Sequence, residues 1–296
     1  MAASAQAQSI AAGTTLGLVA LTVSDLDRSL AFYETAIGLV PERRPDGTVL
    51  LGGAARWPPL LSLTGDPEAA PRNPRNTGLF HFAILVPTRR DLALALVRLV
   101  RAGWQLEGAS DHLVSEALYL SDPDGNGIEI YRDQPREQWR HDSGGQLAMA
   151  TLPLDLDGLL AELGDGSQQA LVDAPMPAGT SIGHVHLQVA ELERTEQFYR
   201  GVIGFDVTVR SYPGALFVSA GGYHHHLGLN TWNSRGGQAP APGSVGLRAF
   251  EVRLPDAAAL AAVLARVDAA GVAREPAAEG AALVRDPSGN GLLLTL

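Results

Sequence analysis

The sequence predicts an α+β fold with mixed sheets, in which one supersecondary unit occurs four times. Three observations support this prediction: a helix motif found twice, a turn motif found twice, and strand-like stretches that outnumber helix-like ones. The helix motif VSDLDRSLAFY at 23–33 returns as VAELERTEQFY at 189–199, and the turn DPDGNG at 122–127 returns as DPSGNG at 286–291. Because each motif copy has its own flanking strands, the chain divides into four units.

The elements within each unit follow from capping and turn signals. In the first and third units an apolar strand precedes the helix, which contains a Phe-Tyr pair and ends at Gly38 or Gly204. The second and fourth units have longer predicted helices at 91–102 and 256–270, each followed by a glycine. Their Pro- and Gly-containing turns then lead directly into a last apolar strand.

The repeats also set the predicted domain boundaries. We expect a flexible tail at 1–14 and a connector at 135–180 with one short helix near 154–163. The four units lie in two sequential domains, 15–134 (units 15–66 and 77–134) and 181–296 (units 181–234 and 244–296).

Composition excludes several classes of function. A net charge of −10 without a basic run argues against a nucleic-acid partner, and no apolar stretch is long enough to span a bilayer. The chain has no cysteine and no lysine, which excludes disulfides, thiolate ligands and Schiff bases on a lysine amine. Residues 1–14 lack the basic start and apolar core of a signal peptide, so a cytoplasmic location is expected.

Histidines mark the candidate site. The predicted strand at 181–189 carries His184 and His186 two residues apart, hence on the same face. Two imidazoles on one strand face each need a hydrogen-bond partner or a metal ion. Three consecutive histidines at 224–226 follow in the same half, and His81 with Glu129 lies in the other half.

Taken together, the motifs resemble the vicinal oxygen chelate superfamily, which includes glyoxalases, bleomycin resistance proteins and extradiol dioxygenases. The two-domain layout resembles its catechol-2,3-dioxygenase-like branch. Besides the repeated helix and turn, the resemblance rests on GHVHL at 183–187, GGYHHHLGLNTW at 221–232, SDHLVSEALY at 110–119 and LPLDLD at 152–157. It implies four βαβββ units that form two cupped mixed sheets.

The resemblance also implies that metal ligands come from the first and last strands of each unit. In units two and three these positions hold His81, Glu129, His184 and His226. In units one and four they hold only apolar residues: Leu18, Leu60, Ala249 and Leu293. If units two and three share a sheet, one cup therefore holds a complete metal site and the other is apolar.

The residue types favour a particular metal. We assign His81, His184 and Glu129 to a triad of two histidines and one carboxylate, which is typical of non-haem Fe(II) enzymes with open positions for substrate and O₂. Mn(II) suits the same triad, and Zn(II) or Ni(II) suits the site if His226 is a fourth ligand. Otherwise His226 stands over the open face as an acid/base group.

Three further residues are candidates for catalysis. Strand alternation places His224 on the face of His226 and His225 on the opposite one, so His224 is the second candidate acid/base group. His112 lies in a Ser-Asp-His loop, where it is either a proton carrier or a solvated residue. Tyr131 shares a face with Glu129, where it either donates to substrate or packs in the core.

The expected function is extradiol-type ring cleavage of a catechol- or hydroquinone-like aromatic by Fe(II) and O₂. Two alternatives stay open at this point. One is a glyoxalase-type isomerase with four ligands on Zn(II) or Ni(II), and the other is a small-molecule (drug) binding protein of the same superfamily. Edge strands of such sheets can pair between chains, so a homodimer is an expected form.

Overall fold

The computed structural model describes residues 9–141, 143, 145–164 and 169–296 and contains two mixed, curled sheets. The strands are β1 (Thr15–Val23), β2 (Val40–Arg43), β3 (Val49–Gly52), β4 (Leu61–Gly65), β5 (Gly78–Leu85), β6 (Gly108–Asp111), β7 (Ser115–Ser121), β8 (Gly127–Asp133), β9 (Leu152–Pro153), β10 (Ser181–Gln188), β11 (Asp206–Val209), β12 (Ala215–Ser219), β13 (Leu227–Asn230), β14 (Gly246–Arg253), β15 (Arg274–Pro276), β16 (Ala282–Arg285) and β17 (Gly291–Thr295).

The helices are short and lie between the first and second strands of the units or in the connector. They are α1 (Leu26–Phe32), α2 (Arg89–Arg101), α3 (Leu156–Ala161), α4 (Gln169–Val172), α5 (Leu192–Glu196) and α6 (Ala257–Ala269). Helices α1 and α5 continue as π-helical turns, Tyr33–Ile37 and Gln197–Ile203. Helices α2 and α6 begin and end within two residues of their predicted bounds.

The α+β prediction with two cupped mixed sheets is confirmed. The first sheet has the order β15-β16-β17-β14-β1-β4-β3-β2, and the second has the order β11-β12-β13-β10-β5-β8-β7-β6-β9. The second sheet therefore joins units two and three through the antiparallel pair β10–β5. Each sheet takes one unit from each half of the chain, and the division into two sequential domains stays a prediction.

The repeated helix and turn motifs are explained by one contact between units. The Tyr33 hydroxyl donates a 2.9 Å hydrogen bond to Oδ2 of Asp122, and Tyr199 makes the same bond to Asp286 at 3.1 Å. Asp122 also accepts from the Asn126 amides within its own turn. Burial raises the pKa of Asp122, but these donors favour the carboxylate. The predicted packing of the Phe-Tyr pairs thus includes a buried hydrogen bond to the next unit.

Positive backbone φ angles account for the glycines that end α1 and α5. Both π-helical turns stop at a left-handed residue, Gly38 with φ 86° and Gly204 with φ 100°. A side chain would be strained in this region, so glycine is the favoured residue.

The N-terminal segment is ordered where the structure describes it, which corrects the prediction of a flexible tail for residues 9–14. Ile10 is buried, and its N–H donates a 2.7 Å hydrogen bond to the Gly204 carbonyl. Thr14 is also buried. The remainder of the predicted tail, residues 1–8, lies outside the described residues. Within the described part of the chain, no helix has the length and apolar character needed to cross a membrane.

Candidate metal centre

Three neighbouring strands of the second sheet bring together two histidines and a glutamate from both halves of the chain. His81 lies on β5, Glu129 on β8 and His184 on β10. In the register of these strands, Ala83 of β5 pairs with Glu129 on one side and with His184 on the other. The small side chain of Ala83 leaves room for the two larger ones to approach each other.

The ligand atoms of this triad lie close together and away from solvent. Glu129 Oε2 is 3.0 Å from His184 Nε2 and 3.1 Å from His81 Nε2. One ligand atom from each residue can be chosen so that all three lie within 4.8 Å of one another. The His81 Nε2 atom is buried and has no hydrogen bond of acceptable geometry. Its lone pair is therefore directed at the same small volume without being used there.

Electrostatics favour the metal-binding protonation states of Glu129 and His184. Burial by itself raises the pKa of Glu129, but charge and hydrogen bonding from His184 and His81 hold that pKa well below its usual range. Burial lowers the pKa of His184 and favours its neutral form. A carboxylate and neutral imidazoles are the ligand forms, so the residues present fit a divalent cation.

A cavity of about 290 Å³ lies over the triad. Its other walls are mostly aromatic or contain imidazoles, and no arginine lines it. Its lining includes Phe80, His112, Tyr119, His186, Phe217, His225 and Trp232.

The structure does not bring His226 to the triad. In unit two the carboxylate ligand Glu129 pairs with Ala83, which lies two positions after His81. The equivalent residue of unit three, two positions after His184, is His186. His186 pairs with Gly228, so Gly228 and not His226 corresponds to Glu129. His226 Nδ1 instead accepts a 3.1 Å hydrogen bond from the Ala220 N–H. The alignment made from the sequence was two residues out of register there.

His224 lies behind the cavity, where it supports His225. His224 Nε2 is 2.9 Å from Asp133 Oδ1, and its Nδ1 is 2.8 Å from His225 Nδ1. The carboxylate accepts from the Nε2–H, so in neutral His224 the Nδ1 is an acceptor and the His225 Nδ1–H must donate to it. This arrangement leaves His225 Nε2 unprotonated. The His225 ring lines the cavity with its centroid 4.2 Å from that of His184.

His112 lies at the cavity and is paired with Tyr119. Its Nδ1 is 2.7 Å from the Ala150 carbonyl, which can only accept, so Nδ1 carries the proton. Its Nε2 is 2.7 Å from the Tyr119 hydroxyl, and the tyrosine therefore donates. Burial, followed by the charge of Glu129, raises the pKa of Tyr119 well above its usual value and keeps the phenol protonated.

Tyr131 is buried beside the triad but does not line the cavity. Its ring centroid is 4.8 Å from that of His184. Its hydroxyl is 2.7 Å from that of Tyr223, which donates to Asp133 at 3.0 Å, so Tyr131 is the donor in the first bond. A role in supporting His184 is consistent with this position.

Sequence reasoning did not find His225 at the site, and it indicated Tyr119 only as a weaker candidate donor to substrate than Tyr131. Strand alternation assigned His225 to the opposite face, but residues 224–226 precede β13 and are not in a strand. Alternation therefore does not apply to them. Tyr119 pairs directly with Glu129 across β7 and β8, and this pairing of neighbouring strands was the signal available.

The corresponding positions of the first sheet hold no such cluster. The register places Ser62, not Leu60, at the last-strand position of unit one, beside Leu18, Ala249 and Leu293. Among the described residues, the one group of histidines and acidic residues with metal-binding spacing is the triad of the second sheet.

Comparison with known proteins identifies sequence relatives across the chain. A catechol-2,3-dioxygenase from Bacillus subtilis (strain 168) is 44% identical over 282 residues, covering 94% of this chain and 96% of that protein. Biphenyl-2,3-diol 1,2-dioxygenase 2 from Rhodococcus globerulus is 27% identical over 139 residues, covering 46% of this chain and 67% of the relative.

Solved structures share the fold. Glyoxalase I from Zea mays superimposes with a TM-score of 0.55 at 17% identity, covering 95% of this chain and 92% of that chain. A structure from Bacillus subtilis subsp. subtilis str. 168 superimposes with a TM-score of 0.64 at 12% identity, covering 98% and 86% of the two chains.

A family model covers most of the chain in two matches. The model of the Glyoxalase/Bleomycin resistance protein/Dioxygenase superfamily matches residues 15–130 and 181–294, which together cover most of each of the four units and contain the triad. The chain belongs to this superfamily.

Proposed function

We propose that the protein is an Fe(II)-dependent extradiol-type dioxygenase that opens the ring of a catechol- or hydroquinone-like aromatic with O₂. The observation that carries this proposal is the three-ligand site of His81, Glu129 and His184 at the base of an aromatic cavity. Its fourth corresponding position is Gly228, which offers no ligand atom.

A metal ion with three protein ligands on one side retains open positions for exogenous oxygen ligands. When bound, Fe(II) would supply positive charge that attracts the oxygens of a vicinal diol, and it would allow electron transfer between the aromatic ring and O₂. Mn(II) suits the same ligands. The similarity to a catechol-2,3-dioxygenase over nearly the whole chain supports this choice of reaction class.

The residues around the triad have distinct proposed roles. Phe80, Phe217 and Trp232 hold the aromatic ring and exclude water. His225 Nε2, kept unprotonated by the His224–Asp133 pair, accepts a proton from the substrate diol and later returns it. His112 and Tyr119 hold a second proton at the cavity edge.

The two alternatives fit the site less well. A glyoxalase-type isomerase with four protein ligands would need a side chain at the position of Gly228. A non-catalytic binding protein would not require a buried carboxylate between two imidazoles, an arrangement that is costly without a cation. The cytoplasmic location, the homodimer and the absence of nucleic-acid and membrane partners stay predictions.

Oxygen uptake tests the proposal. Protein purified anaerobically and loaded with Fe(II) should consume O₂ in proportion to added catechol and form a ring-opened product. Glu129→Ala should abolish uptake, while the matched control His141→Ala, at an exposed position, should retain it. Tight Zn(II) or Ni(II) binding with isomerase activity and no O₂ uptake would instead support the glyoxalase-type alternative.

A further inference from the structure

His186 is a buried histidine at the cavity whose ring has no hydrogen-bond partner. It lies on β10 two residues after His184, on the same face, and is only 4% exposed. Its Nε2 is buried without a partner, and no hydrogen bond among the described residues involves either ring nitrogen. A buried polar group left without a hydrogen bond destabilises the fold, so its presence needs an explanation.

The other histidines of the cavity either belong to the triad or are hydrogen-bonded. His81 and His184 face Glu129 as candidate metal ligands, although His81 Nε2 makes no hydrogen bond of acceptable geometry; His225 bonds to His224, and His112 bonds to Tyr119. Among the described residues, His186 is thus the cavity histidine that has neither a hydrogen-bond partner nor a place in the triad. A cavity-lining group of this kind is available to a bound molecule.

Aromatic rings surround His186 and define where a substrate ring lies. Ring centroids of Phe80, Trp232 and Phe217 are 5.1, 5.3 and 5.7 Å from that of His186. Because no arginine lines this cavity and its acidic member, Glu129, belongs to the triad, a charged substituent would have no counter-ion there. An uncharged hydrogen-bonding group suits this environment.

His186 lies about one ring length further along β10 than the ligand His184, while its own ring centroid is 5.0 Å from that of His81. Two residues on a strand lie about 6.6 Å apart, which is comparable to the span of a benzene ring with its substituents. The neighbouring strand β13 makes room for the imidazole because its Gly228 has no side chain. A Cβ at that position would lie 2.8 Å from His186 Cγ. The position that lacks a fourth metal ligand therefore accommodates this histidine.

Resting on the proposed function, we propose that His186 hydrogen-bonds an uncharged oxygen substituent, such as a hydroxyl, which the substrate ring carries on the side remote from its vicinal diol. His186 then determines specificity, and the preferred substrates are catechols with a neutral polar side group. Plain catechol and alkylcatechols are poorer substrates because they leave the imidazole unpartnered.

A pair of isosteric probes tests this contact directly. 4-(Hydroxymethyl)catechol and 4-ethylcatechol differ by one hydroxyl in place of a methyl. We expect Fe(II)-loaded protein to bind the hydroxymethyl probe about 10-fold more tightly under anaerobic conditions, with a similar ratio in kcat/KM. Equal affinities, or a preference for the ethyl probe, would overturn the proposal before any variant is made.

Variants then assign the preference to His186. His186→Leu should abolish the preference, and His186→Gln, which keeps a hydrogen-bonding side chain, should retain part of it. The matched control Phe217→Leu should weaken both probes equally, because it removes only apolar contact. An unchanged preference in His186→Leu would overturn the proposal.

Failure of this inference is distinguishable from failure of the proposed function. Selective anaerobic binding without O₂ uptake would uphold the contact and overturn the dioxygenase. Uptake with both probes at equal kcat/KM would uphold the dioxygenase and overturn the role of His186.

Discussion

Replacing Gly183 with alanine tests how tightly the ligand His184 is supported. A Cβ at Gly183 would overlap the hydroxyl of Tyr131 and lie 2.7 Å from its Cζ. The ring must therefore retreat, and its hydroxyl loses the 2.7 Å bond to Tyr223. Overpacking of this kind costs about 1–3 kcal/mol, and the lost hydrogen bond adds about 1 kcal/mol.

We expect the free energy of unfolding of metal-free Gly183→Ala to fall by about 2–4 kcal/mol, measured by urea denaturation. Because Tyr131 packs against His184, metal affinity should also fall by about 10-fold or more. Gly108→Ala is the matched control, since its Cβ would meet its nearest neighbour at 4.0 Å. Equal stability and metal affinity in the two variants would refute this reasoning.

Three further predictions concern catalysis, pH and the contact between units. His225→Ala should keep its metal and lose about 10²–10⁴-fold in kcat with catechol, and a loss below tenfold would contradict its role as proton acceptor. Burial lowers the pKa of His226 from 6.5 to about 4. The unfolded chain therefore binds its proton first as the pH falls, and stability is lost between pH 6.5 and 4, by up to about 3 kcal/mol. In urea titrations of the metal-free protein, the His226→Asn variant should not show this loss of stability between pH 6.5 and 4. Identical pH profiles of stability in the wild-type protein and the variant would contradict the prediction. Tyr33→Phe should lower the free energy of unfolding by about 1–3 kcal/mol because Asp122 loses a buried donor, and Tyr199→Phe should do the same because Asp286 loses its donor. Unchanged urea midpoints would contradict this.

The fold and the triad could be predicted because they depend on local patterns that the chain repeats. Strand alternation and the two DP-x-GNG turns placed His81, Glu129 and His184 at corresponding positions without knowledge of the sheet order. The unequal distribution of histidines and leucines between units favoured a sheet shared by units two and three but did not decide it, and the β10–β5 pair is what establishes it.

The rest of the site depends on contacts that local patterns do not contain. The residues before β13 are irregular, so counting along the repeat misplaced His226 by two positions and turned His225 away from the cavity. The hydrogen bond from Tyr33 to Asp122 joins the π-helical turn after α1 to the turn between β7 and β8, 89 positions apart, and nothing in either motif alone predicts it. The partnerless ring of His186 likewise becomes visible only when its surroundings are known.

An anaerobic titration with Fe(II) tests the central claim most directly, because the three-ligand site underlies every proposed step. We expect one ion per chain, a loss of affinity above about 100-fold in His184→Ala, and a change below about threefold in His226→Asn. Affinity that survives His184→Ala, or collapses in His226→Asn, would contradict the site described.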